Sequence, residues 1–156
     1  MAAVDFYEQC ETGLKSALQS LTTVFLHDWQ VSNDDTVIAR GGDVFAILRP
    51  GAFPIFAKQA TGKQVDFDWG ITVDVYVRYE SYATSWAKFK TVRAEMIWRL
   101  GCDPTLGNTP NVWGVTLSAE EGAQYFKFAE SSENATPNFI IQTMQATVRQ
   151  RVEFEF

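Results

Sequence analysis

The side chains that could do chemistry in this sequence are few, and the densest group is acidic. Asp66, Asp68 and Asp74 stand at even spacing inside a run of β-forming residues, so a strand sets all three on one face. Carboxylates gathered this way could share a divalent cation or divide acid and base roles between them. Alternate carboxylates on the outer face of a strand are ordinarily hydrated, so the expectation is a solvated row of charge and no catalytic role. The single histidine, His27, adjoins Asp28. One imidazole cannot supply a two-histidine zinc site, and no Gly-x-Ser-x-Gly elbow is present to position a serine for a hydrolytic triad. Gly41-Gly42 reads as a turn, because the lysine and hydroxyl residue of a phosphate-cradling loop do not follow it. Cys10 and Cys102 are the only cysteines and lie far apart, which predicts buried free thiols in place of a metal cage. Asn134-Ala135-Thr136 fits a glycosylation sequon, but with no export signal ahead of it the segment reads as a loop closed by Pro137. The chain is therefore expected to lack catalytic residues, bound metals and cofactors.

A chain of 156 residues can enclose one core, and 46% hydrophobic residues is enough to fill it, so residues 1–156 are expected to form a single domain. No stretch approaches the roughly 18 consecutive apolar residues of a membrane span, and Met1 to Asp5 lacks the basic start of a secretory signal. A soluble protein made and kept in the cytosol is expected, with no membrane partner. The net charge of −6 repels phosphate backbones and argues against general nucleic-acid binding. An acidic channel lining would still let DNA slide past without sticking.

The elements that would hold these residues follow from periodicity. Asp5 and Glu8 start a capping box, and Phe6, Cys10, Leu14, Ala17, Leu18 and Leu21 recur at helical spacing, predicting a helix from Asp5 to Leu21. Gly13 weakens its centre by about 1 kcal/mol relative to alanine, a cost accepted where another segment comes close. Short β-prone runs follow at Val24–Leu26, Thr36–Ala39 and Val44–Leu48. Pro50 to Gln64 reads as an extended loop or hairpin. Its Phe53, Ile55, Phe56 and Lys58 either offer a partner surface or, for Phe56, fold back on the core. From Trp69 to Tyr79 apolar and polar residues alternate, predicting a strand with one buried face.

A second helix, Tyr82 to Leu100, is capped by Ser81 or Thr84 and stopped by Gly101 and Pro104. Trp86, Phe89, Val92, Met96, Ile97 and Leu100 form its apolar stripe. Arg93 falls within that arc and predicts a structural ion pair, while Trp98 lies near Ala87 and Ala94 on a separate, smaller apolar surface. Strands at Val112–Leu117 and Tyr125–Ala129 around Glu120-Glu121-Gly122 read as a hairpin.

Phe139 to Phe156 contains neither glycine nor proline and alternates with period two, predicting one long strand interrupted on its apolar face by Gln142 and Gln150. About seventeen residues of strand span roughly 55 Å, against a domain diameter of about 40 Å. Either a bulge bends the strand, or its end projects as an arm that pairs with a neighbouring molecule. An unpaired end carrying Val152, Phe154 and Phe156 would otherwise be an aggregation site, which favours the arm.

The order of elements predicts an α+β fold, an antiparallel or mixed sheet with two helices on one face, an extended β-hairpin or loop and a long C-terminal strand. The run Ile71 to Tyr79, the helix with Trp86, Phe89 and Arg93, the stretch Leu100 to Leu106 including Pro104, and the terminal strand from Phe139 resemble the tail terminator (tail completion) proteins of long-tailed bacteriophages. The resemblance covers about half the chain and is one of element order. It implies a homo-oligomeric ring, a hexamer, that caps the tail tube protein and meets the head–tail connector protein, with DNA passing through unbound. It places the protein at the head-proximal end of the virion tail, after assembly in the host cytoplasm, and brings no catalytic residues. The residues themselves put partner contacts at Phe53, Ile55, Phe56 and Lys58, at Trp98, and at Arg149, Arg151, Val152, Phe154 and Phe156. Three other readings stay open: a head-side connector or stopper ring, a small-molecule-binding module of ferredoxin-like type, and a nucleic-acid binder using Lys88, Lys90, Arg93 and Arg99.

Overall fold

The computed structural model describes residues 4–21, 29–33, 43–52, 58–61, 64–126 and 138–154, with backbone alone at 58–61. Asp5 opens helix α1 (Phe6–Gln19), and its carboxylate accepts the Glu8 amide at 2.9 Å. That satisfies one of the amides the first helical turn leaves without a partner. Cys10, Leu14, Ala17 and Leu18 turn its buried side to the core. At Gly13 the helix meets the turn that follows the second helix, and a Cβ there would collide with the Thr109 side chain. The expected close neighbour is thus Thr109, whose hydroxyl donates to the Leu106 carbonyl at 2.7 Å.

Helix α2 (Tyr82–Cys102) begins at Ser81, whose side chain accepts the Thr84 amide at 3.3 Å. Ser85, Phe89, Val92, Met96 and Leu100 face the core. Ile97, expected among them, is 56% exposed. Successive residues turn by about 100°, so a helix seated on Phe89, Met96 and Leu100 swings Ile97 off the sheet. Ser85 takes an inward position because its hydroxyl accepts the Glu80 amide at 2.8 Å, leaving no polar group stranded. In place of the expected ion pair, the Arg93 guanidinium lies 5.4 Å from the Phe89 ring centroid.

The sheet contains β1 (Gln30–Ser32), β2 (Val44–Pro50), β3 (Lys58–Thr61), β4 (Gln64–Arg78), β5 (Val112–Ser118), β6 (Gln124–Phe126) and β7 (Phe139–Glu153). Its order is β1-β2-β4-β7-β5, with β3 also on β4 and β6 also on β7. Only the β1–β2 pairing is parallel among the described strands. The architecture is the expected α+β fold with a mixed sheet. Both helices share one apolar cluster with the same sheet face, joining Leu14, Leu18, Phe89 and Met96 to Leu48, Ile71, Val73, Val75, Ile140, Ala146 and Val148.

Three expectations need correction. First, β4 buries both faces: every residue from Gly70 to Val77 is buried. Behind the helix-free face Tyr76 stacks on Phe45 at 4.8 Å and meets Phe139 edge-on at 5.9 Å, forming a second small core. Second, β7 neither bulges nor projects along 139–153, because β4 is equally long and pairs with it from Gln64↔Glu153 to Arg78↔Phe139. The comparison with a spherical diameter fails because the sheet is elongated. Third, β5 and β6 are not a hairpin. Both pair with β7, at Gln145–Gln150 and Phe139–Ile141, as two pieces of one interrupted edge strand. The Gln142 amide donates to the Glu121 carbonyl at 2.9 Å beside the break.

The second interruption of the apolar face, Gln150, is fully buried and fully used. Its amide donates to Gln9 Oε1 at 3.2 Å and the Pro110 carbonyl at 3.0 Å, and its oxygen accepts the Trp69 indole at 3.0 Å. Expected strands at Val24–Leu26 and Thr36–Ala39 lie outside the described residues, as do His27, Asp28, Gly41-Gly42, the sequon and residues 127–129. Of the two thiols only Cys10 is buried; Cys102, at the solvent side of the last turn of α2, is exposed.

Gly13→Ala is expected to lower stability by about 1–3 kcal/mol through overpacking against Thr109, despite the better helix propensity of alanine, as read by thermal or denaturant unfolding. Burial pushes the Cys10 thiol up to about 12, from about 9 when unfolded. Burial likewise raises the Tyr7 and Tyr76 phenols. The folded state then holds these protons more tightly, so their contribution is intact below about pH 9 and is lost as pH rises toward 12. Unfolding free energy measured across that range is expected to fall, and near pH 8 a thiol reagent should label Cys102 while Cys10 reacts only on unfolding.

Candidate partner-binding surfaces

The aspartate trio sits on the helix-free face of the sheet; the β4–β7 register sets an arginine opposite Asp66 and Asp68, and β2 supplies the arginine for Asp74. Arg151 lies opposite Asp66 and makes two contacts, at 2.7 and 3.0 Å. Arg149 lies opposite Asp68 at 3.8 Å and rests its guanidinium 5.5 Å from the Trp113 ring centroid. Asp74 is buried, receives the Arg49 Nε at 2.9 Å and the Thr143 hydroxyl at 2.7 Å, and so departs from the hydrated row expected of it. Hydrogen bonding to Asp74 and Asp66, reinforced by their charge, holds the Arg49 and Arg151 guanidinia above their ordinary range. Guanidinia hold Asp66 and Asp74 at hydrogen-bond distance and Asp68 more loosely, and the opposed charges of Asp66–Arg151 and Asp68–Arg149 favour this register of β4 on β7. The arginine side chains remain about half exposed, at 56%, 44% and 51% for Arg49, Arg149 and Arg151, and water screening keeps each pair weak.

Beside these pairs a groove of about 820 Å³ runs over the strands, lined by Asp68, Gly70, Glu120, Glu121, Thr143 and Gln145 among others. Gly70 makes it possible: a Cβ there would collide with the Ala52 carbonyl and the Gln145 amide. On the opposite layer, a cleft of about 630 Å³ separates α1 from the turn after α2, with Arg99 and Asp103 on its wall.

The partner residues expected from the sequence fall into separate places. Phe53, Ile55, Phe56 and Phe156 lie outside the described residues, and Lys58 opens β3, where only the backbone is described. Trp98 is 76% exposed on the outer side of α2, uncovered by α1. Arg149, Arg151, Val152 and Phe154 come together at the end of β7, but within their own subunit. Val152 is buried, and Phe154 meets Phe6 and Phe67 edge-on at 6.3 and 6.4 Å. The projecting arm is thus corrected through Phe154: β4 already supplies the strand edge it was thought to seek.

Sequence reasoning missed the exposed Ile97, Tyr82, Trp113 and Tyr125. Tyr125 belongs to an aromatic group with Tyr79 and Trp86 in which the Trp86 indole donates to the Tyr125 hydroxyl at 3.1 Å. Their spacing carries no signal that separates them from core aromatics. Comparison of the sequence with protein-family models and with curated proteins gives no match.

Deleting residues 149–156 is expected to disrupt the core and not merely an association surface. The deletion removes the strand opposite Gln64–Asp68 and the three hydrogen bonds of Gln150. Circular dichroism should show a lowered melting temperature or loss of the cooperative transition, whereas an unchanged melt would restore the arm.

Proposed function

We propose that this chain is a structural virion protein of tail-terminator type. In this reading it closes into a ring, a hexamer, at the head-proximal end of a long phage tail. One face of the ring seats on the tail tube protein and the other meets the head–tail connector, and DNA passes through the hole.

The observation that carries the reading is that the segments bearing the resemblance adjoin in space. The strand with Ile71 to Tyr79 pairs along its length with the terminal strand from Phe139, and α2 with Phe89 packs on both. The stretch from Leu100 to Leu106 then turns back against α1 at Gly13. Two further features agree with it. Strands β1 and β5 stand at opposite ends of the strand order, so one contact joining unlike margins can repeat head to tail and close around an axis. The net charge of −6 suits a ring through which DNA slides without being held.

Negative-stain imaging of the purified protein, alone and with tail tubes from the same phage, tests the proposal. Closed rings seated at tube ends are the expected result. Bare tube ends beside a persistently monomeric or dimeric protein would overturn it, and a melting temperature that rises with a small metabolite would point instead to a small-molecule-binding module.

A further inference from the structure

The outer side of α2 carries large apolar side chains that its own subunit leaves uncovered. Trp98 is 76% exposed and Ile97 56% exposed, although both stand on a rigid two-sided helix whose opposite side is locked into the core. N-terminal to Trp98, at helical spacing, the same outward line carries Ala87, Thr91 and Ala94, side chains short enough for another helix to approach closely. The Thr91 hydroxyl donates back to the Ala87 carbonyl at 3.0 Å, so this line presents no unsatisfied donor. Beside Trp98 lies a groove of about 580 Å³ lined by Leu21, Ala94, Glu95, Trp98, Arg99 and Cys102 among others. A protruding indole and a hollow of mixed polar and apolar lining therefore sit side by side on one patch.

The charges identify the occupant. Glu95 and Arg99 are spaced to pair along the helix, yet they do not. The Arg99 guanidinium turns its terminal Nη2 toward Asp103 at 4.0 Å with its Nε buried, and the side chain stays 40% exposed. Among the described residues no cation lies within ion-pair distance of Glu95. Both residues stand on the same flank of α2. When two identical helices meet antiparallel about a two-fold axis, each flank faces its own copy, so Glu95 of one comes opposite Arg99 of the other, twice. We propose that α2 forms a two-fold, antiparallel contact with α2 of a second copy, centred near Ile97, with Trp98 packed against the partner's Trp98 and Ala94 and the Glu95–Arg99 pairs closing its rim. Such a contact uses the same patch on both subunits, so it does not lie between head-to-tail ring neighbours. It joins one ring, or one free subunit, to another, and it stands whether or not the ring reading does.

Sedimentation equilibrium of the full chain without tail tubes, over a concentration series, tests this. The wild type should associate in multiples of two, and Trp98→Glu should weaken that step at least about 30-fold, as removal of a central interface tryptophan does. Glu95→Arg alone places arginine opposite arginine, and Arg99→Glu alone places glutamate opposite glutamate, so each should lose the two-fold step. Mixed one to one, the two variants should form heterodimers. A wild type that stays monomeric to about 1 mM, a Trp98→Glu protein that associates as before, or two folded charge variants that do not combine would each overturn the proposal. Thermal melts establish that every variant is folded. Should Arg99→Glu not fold, Trp98→Ala and Glu95→Arg decide the matter: both must weaken association, and an unchanged constant in either sinks it.

Discussion

Everything in this fold hangs on one pairing. β4 and β7 run antiparallel for fifteen residue pairs without a bulge, and each remaining strand but β1 attaches directly to one of them. Because side chains alternate across a strand, that register decides at once which residues enter the core beneath the helices and which reach the other side. Ile71, Val73 and Val75 go one way, and Asp66, Asp68 and Asp74 the other. A slip of one residue would drive the aspartates under α1 and α2 and strand the arginines away from them. The pairs Asp66–Arg151 and Asp68–Arg149 add little stability at their exposure, yet they make the slipped register costly, and that is their use.

The two margins of this central ribbon are finished differently. On one side β2 and β3 follow β4 in turn, with β1 outside β2, and on the other β5 and β6 follow β7 as an edge strand broken part-way. Breaking an edge shortens the row of free backbone groups that could template pairing with another chain. The breaks also shape the surface. Where β2 ends, the Gly51 amide donates to the Gly70 carbonyl at 3.0 Å, and Ala52, set close over Gly70, lines the groove on the helix-free face.

Much of this was legible in the sequence, for reasons that also explain the failures. Helices α1 and α2 announce themselves because capping residues and a 3.6-residue period are local properties. The apolar face of β4 and the length of β7 were equally plain. The burial of the opposite face was not, since Asp74 and Tyr76 are polar by type and become buried only through Arg49, Thr143 and Phe45, which come from other strands. Glu120-Glu121-Gly122 has the composition of a turn, and composition does not tell a reversal from a pause. The partner of β7 did leave a trace: Asp66-x-Asp68 and Arg149-x-Arg151 are matched in spacing and opposite in sign, and reading the two strands against each other would have paired them.

That missed pairing changes where assembly surfaces belong. A strand end that seems too long for its domain invites a neighbour only while its backbone groups lack partners, and β4 already supplies them along the whole of β7. The aromatic residues near that end, Phe6, Phe67 and Phe154, then gather on one another within the subunit. What the ribbon cannot satisfy is the far side of α2, because a helix laid on a sheet has only one face to bury. Its core contacts fix the helix backbone that carries Trp98, so the freedom lost when that indole is covered is that of its own side chain. A large apolar side chain left in water on that helix, beside Glu95 and a weakly paired Arg99, is therefore a stronger mark of a partner than the described end of β7.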